Sequence, residues 1–211
     1  MWSFGSSRWR RLALSLSGVA IAGAAAAFYW FQNAAQPVGG DISLVKLLWL
    51  AGAIFLWFVL PLLLAADARC EDRLRKAFAV LAALMLARGV VEGWMLYVAL
   101  NWSPWYGIAH DVACAAVLLA LCAQAAARTP HDRLVRRHGL VSAAFFAPEI
   151  YFAWYMLTHF TTQGTGAIYF VPDDPRYAVV LRVTAIAVVC LALYLSLFLY
   201  RWTRAAEPPR R

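Results

Sequence analysis

The 211-residue chain reads as an all-α, polytopic membrane helix bundle of six spans, on three grounds. Hydrophobic residues make up 64% of it and charged residues only 14%, against about half and a quarter in a soluble domain. The apolar residues gather into runs of about 20, the length a helix needs to cross a bilayer. Lys and Arg fall between those runs, and almost all of them on one side of the implied membrane.

The first span covers about residues 12–31. Arg8, Arg10 and Arg11 precede it, a pattern shared with signal peptides, but the apolar run is long enough to be retained and ends in Phe28-Tyr29-Trp30-Phe31. Pro37-Val38-Gly39-Gly40 then breaks the chain before a second span at 43–65, in which Pro61 predicts a kink. The charged stretch Asp67–Lys76 leads into a third span at 76–99. Ser103-Pro104 opens the way to a fourth at 108–127, and Thr129-Pro130 begins a loop before a fifth at 139–160. Pro172-Asp173-Asp174-Pro175 precedes the sixth, at 178–202. Residues 1–40 thus form a basic tail and one helix, 41–204 a five-helix core, and 205–211 a second basic tail.

Net charge is +8, which in a soluble protein suggests nucleic acid. Here the charges sit at helix ends, where lipid headgroups explain them and nucleic acid is not expected. Of nineteen Lys and Arg, fifteen lie in the N-terminal tail, the 67–76 and 128–138 loops and the C-terminal end. Lys46 and Arg176 lie on the other side, and Arg88 and Arg182 within helices. This asymmetry predicts cytoplasmic termini, and the Ala- and Arg-rich composition predicts a bacterial inner membrane. His131 and His138, among the arginines of the 128–138 loop, read as solvated. Cys70, Cys114, Cys122 and Cys190 form no C-x-x-C pair and read as small packing residues.

The informative residues are charges inside the spans. Counted from helix ends, Arg88 and Glu149 share a level near the midplane, with Glu92, Asp111 and Arg182 nearer the outer end. An isolated charge at the bilayer centre costs about 2.5–3.5 kcal/mol on insertion scales. The five are therefore expected to converge in the bundle interior, as ion pairs fixing helix register or as the floor of a pocket for an amphipathic ligand. Arg88 and Glu92 are one turn apart on one face. Tyr97 and Tyr151 offer hydroxyls to the same interior, and Pro148 predicts a helix break beside Glu149. The pocket is expected between the third, fifth and sixth helices.

Val90-Val91-Glu92-Gly93-Trp94-Met95-Leu96-Tyr97 resembles the Glu-Gly-Trp-x-x-x-Tyr helix of the EXPERA group, which includes the emopamil-binding sterol isomerase and the sigma-2 receptor. Glu149-Ile150-Tyr151 with Leu157-Thr158-His159, and Asp174-Pro175-Arg176-Tyr177, resemble later parts of that family. The resemblance implies a five-helix core from residue 43 onward, with Glu92 as acid/base group and Trp94 as a cavity wall. It also shows departures. Arg88 stands where the isomerase has a histidine, and Ala115-Ala116-Val117 occupy the region of its second acid.

The expected function is therefore binding of a small hydrophobic, sterol-, isoprenoid- or lipid-like molecule in a polar-floored cavity. If the protein is an enzyme, it is a double-bond isomerase with Glu92 and Glu149 as the proton-transfer pair. Arg88, Trp94, Tyr97, Asp111, Tyr151 and Arg182 are the expected lining. Two other readings stand beside this one: an accessory subunit joined to partner membrane proteins, and a small proton-coupled transporter. Neither cofactor nor metal is expected. His110-Asp111, His159 and Asp173-Asp174 match no ligand spacing.

Overall fold

The described residues, 44–99, 103–159 and 177–205 of a computed structural model, fold as helices joined by short turns. The expected first span and the segments 100–102, 160–176 and 206–211 lie outside them. The expected second span runs as α1 (Leu44–Ile54), a π turn (Phe55–Val59) and α2 (Leu60–Ala65). Pro61 has no N–H to offer the carbonyl of Trp57 four residues before it. Just upstream the chain widens instead, and the Leu60 N–H reaches back five residues to the Phe55 carbonyl.

The remaining helices are α3 (Asp72–Tyr97), α4 (Pro104–Ala123), α5 (Pro130–Ala144), α6 (Phe146–His159) and α7 (Tyr177–Arg204). Among the described residues, three segments are long and apolar enough to cross a membrane: Leu47–Ala65, Pro104–Ala123 and Arg182–Arg204. Two other expected spans differ in form. α3 has 26 residues, about 39 Å, but carries Arg88 and Glu92 within it. The fifth begins nine residues early and divides at Phe145. Thr129 and Asp132 form a reciprocal capping box around Pro130, so the charged 128–138 stretch starts a helix where a loop was expected.

α4 lies at the centre, packed on α3, α5 and α6, while α7 lies along α1 and α2 pairs with α3. The core gathers on Trp57, whose indole stacks on Phe146 at 4.1 Å and donates its N–H to the Ser142 carbonyl at 3.1 Å. Ile186, Val189, Leu193 and Leu197 of α7 are exposed, as a lipid-facing stripe is. In lipid, apolar burial does not drive helix association, so close packing and internal hydrogen bonds must hold the bundle. Gly139 shows the closeness, because a Cβ there would lie 2.3 Å from Cys122 Sγ.

His138 belongs to this core and is 1% exposed, contrary to the solvated reading. α5 turns it inward, where Nδ1 lies 2.7 Å from the Tyr194 hydroxyl and Nε2 3.3 Å from Ser142 Oγ. His131 is buried too. At this basic end, the Glu71 N–H donates to Asp132 Oδ1 at 2.8 Å. The Glu71 carboxylate accepts the Ala126 and Ala127 N–H groups at 3.2 and 2.8 Å. Ala127 is held there at φ 47°, in the left-handed region.

Candidate functional site

A cavity of about 440 Å³ lies between α1, the π turn, α3, α4 and α6. That volume falls within the ~300–1,000 Å³ of small-molecule sites. Its walls are apolar and aromatic, including Trp49, Trp57, Phe58, Met85 and Phe152. Its polar lining consists chiefly of four charged side chains from three helices: Arg88 and Glu92 of α3, Asp111 of α4 and Glu149 of α6.

Arg88 organises the group. Its Nε donates to Glu92 Oε1 at 2.9 Å, one turn along the same helix, and its Nη1 donates to Asp111 Oδ1. The Arg88, Glu92 and Asp111 side chains are 12%, 17% and 1% exposed. Glu149 accepts from the Trp49 indole N–H, which ties α6 to α1. His110 supports Asp111 only loosely, at 3.5 Å, and is itself fixed by the Leu84 carbonyl 3.1 Å from Nε2.

Two features set the chemistry. Three carboxyl groups face one guanidinium, and no second Lys or Arg lines the cavity among the described residues. In addition, Asp111 Oδ2 is buried and has no hydrogen-bond partner among the described residues. A buried acceptor left unpaired costs about 1–3 kcal/mol, more if charged. A proton on one of the acids or a positively charged ligand would relieve the first, and a ligand that donates a hydrogen bond to Oδ2 the second.

The expected convergence is thus partly met. Arg88, Glu92, Asp111 and Glu149 share one cavity, but in other pairs than helix depth suggested. α4 starts at Pro104, not 108, so Asp111 sits about 10 Å inside its helix and reaches the level of Arg88. Arg182 does not join. α7 buries Val180, Thr184, Ala187 and Leu191, and Arg182, about 200° around the helix from Val180, is exposed. Among the described residues the sixth expected helix therefore lines no part of the cavity, and α1, α4 and the π turn stand in its place. Trp94 is 57% exposed, because two residues beyond Glu92 a helix presents nearly its opposite face. Tyr151 is half-buried against Trp154 and Tyr155, at 5.9 and 6.0 Å, and is not among the cavity residues. The Tyr97 and His159 side chains lie outside the described residues.

Trp49 and Trp57 were not expected in the site. Aromatics in a span read as packing or anchors, and only the three-dimensional register of α1 and the π turn brings Trp49 onto Glu149 and Trp57 into the wall. A second polar cluster has no local signal in the sequence. Asp67, Cys70 and His131 bring their donor atoms within 4.8 Å of one another at the basic end, and all three are buried. Asp67 accepts from Arg69 Nε and Nη2 at 2.8 and 2.6 Å. Although burial opposes it, these bonds and that of His131 hold the Asp67 carboxyl well below the usual carboxylate range. Burial pushes the Cys70 thiol up to about 12. Comparison of the chain with protein-family models, with curated proteins and with solved structures finds no match to any of them.

Proposed function

We propose that the protein binds an amphipathic, lipid-like molecule in the cavity, with its apolar body against Trp57, Phe58 and Phe152 and its head at Asp111 and Glu92. The observation carrying this reading is a wide apolar chamber with an excess of carboxyl groups and a carboxylate oxygen that has no partner among the described residues. Buried ion pairs that only fix register would be expected to satisfy one another and leave no such space. The head group is accordingly a hydrogen-bond donor, a hydroxyl or a protonated amine.

In this reading α3 and the α5–α6 rod cross the membrane as well, with the arginine-rich end cytoplasmic in a bacterial inner membrane. The resemblance to the EXPERA helix at 90–97 agrees with a sterol- or isoprenoid-like ligand. Double-bond isomerisation is the catalytic form of the proposal. It needs one group to deliver a proton and another to accept one, and Glu92 and Glu149 reach the cavity from different helices.

The test is purification in mild detergent followed by native mass spectrometry of the parent, Glu92→Gln and Asp111→Asn, with circular dichroism to check the fold. A stoichiometric lipid adduct in the parent, reduced about tenfold in the folded variants, is the expected result. A lipid-free parent that returns stoichiometric partner proteins would overturn the reading in favour of an accessory subunit.

A further inference from the structure

We propose that Asp67, Cys70 and His131 form a binding site for a zinc-class divalent transition ion at the basic end of the bundle. The site is separate from the cavity and does not rest on the ligand reading above.

The geometry is that of donors around a shared centre. His131 Nε2 lies 3.4 Å from Cys70 Sγ and 3.1 Å from Asp67 Oδ2, and all three donor atoms fall within 4.8 Å. With Zn–N and Zn–O near 2.0–2.1 Å and Zn–S near 2.3 Å, tetrahedral ligands stand about 3.3–3.6 Å apart. The two His131 edges need shifts of only a few tenths of an ångström, and the thiol–carboxylate edge, within 4.8 Å, closes by about 1.2 Å at most.

The arrangement does not suit a Cys-His-Asp relay. There the acid holds Nδ1 while the nucleophile faces Nε2. Here thiol and carboxylate both face Nε2, and Nδ1 is buried with no partner among the described residues. One ring nitrogen aimed between a sulfur and a carboxylate is what a common ion requires.

The surroundings supply outer support for the carboxylate ligand. Arg69 grips both Asp67 oxygens, and the Trp202 indole N–H, at the end of α7, donates to Oδ2 at 3.2 Å. The imidazole comes from the first turn of α5, whose capping box fixes its approach. Thiolate with imidazole favours Zn²⁺ and similar ions over Mg²⁺ or Ca²⁺. On binding, Cys70 Sγ loses its proton to solvent and bonds the ion, while the imidazole proton moves from Nε2 to Nδ1. One proton is released per ion, with no change of oxidation state. Three protein ligands leave a fourth position for water or another donor.

The test uses the full-length protein in detergent, stripped with chelator and titrated with Co²⁺, then with Zn²⁺ against a chromogenic chelator. Expected are one equivalent bound, tetrahedral Co²⁺ bands with a thiolate-to-cobalt charge-transfer band, and a higher Tm with Zn²⁺. Cys70→Ser should abolish the charge-transfer band, and His131→Gln should weaken binding about tenfold or more, both with the parent's circular dichroism. Absence of the charge-transfer band in the parent would overturn the proposal without recourse to any variant, as would a band that survives Cys70→Ser. A lipid adduct unaffected by Cys70→Ser keeps failure here distinct from failure of the cavity reading.

Discussion

Replacing Arg88 by Leu tests whether the cavity charges depend on one another. Among the described residues Arg88 is the one Lys or Arg facing Glu92 and Asp111, with His110 loosely placed 3.5 Å from Asp111. Its removal leaves Glu92 without its guanidinium and Asp111, 1% exposed, with only the loose His110 contact on Oδ1 and no partner among the described residues on Oδ2. Breaking a buried pair by deleting one member costs about 3–5 kcal/mol, because the other charge stays buried. For a chain of this size each kcal/mol lowers Tm by about 2–4 °C, so Arg88→Leu should unfold about 6–20 °C lower. Arg88→Leu/Asp111→Leu should regain part of that loss, since it removes a stranded acid with the arginine. Unfolding followed by intrinsic tryptophan fluorescence in detergent, against reversible denaturant titration, measures both variants. If Arg88→Leu stays within about 1 kcal/mol of the parent, or the double variant is no better than the single, the four groups are not an interdependent cluster.

Three further outcomes are expected. Gly139→Ala should destabilise by about 1–3 kcal/mol through overpacking, since its Cβ meets Cys122 Sγ at 2.3 Å; Cys122→Ala in the same chain should restore most of the loss on thermal unfolding. Trp57→Phe keeps the stack on Phe146 but strips the Ser142 carbonyl of its indole donor. It should cost about 1–3 kcal/mol, while Phe146→Leu should show a separate loss in a double-mutant cycle. Ala127→Gly should raise stability by about 0.5–1 kcal/mol, because glycine accepts the left-handed φ of 47° without the Cβ clash, and denaturant titration should show an unchanged slope.

Helix content and the charged residues that line the cavity were legible in the sequence, because apolar runs and misplaced charges are local signals. The described ends of α2, α3 and α7 lie within a few residues of their expected places. The start of α5 was misread although Thr129-Pro130-His131-Asp132 carries a capping pattern, since four arginines nearby weighed toward a loop. Pairing was not legible. Depth along a helix can be counted, but rotation and neighbour order cannot, so Arg182 was assigned to a cluster from which α7 turns it away. The Asp67–Cys70–His131 group depends on residues 61 and 64 positions apart, and nothing local to either segment announces the other.

The extra residue in the π turn has a consequence for inheritance. Trp49, upstream of it, and Trp57, within it, both reach the chamber, one to donate to Glu149 and one to brace the wall. Deleting a single position between Phe55 and Val59 would return the segment to ordinary helix and swing everything upstream by about 100°. The indole and its acid would part while composition and hydropathy stayed almost the same. Descendants of this chain are thus free to trade side chains along the segment, but a change in its count of residues would dismantle the chamber.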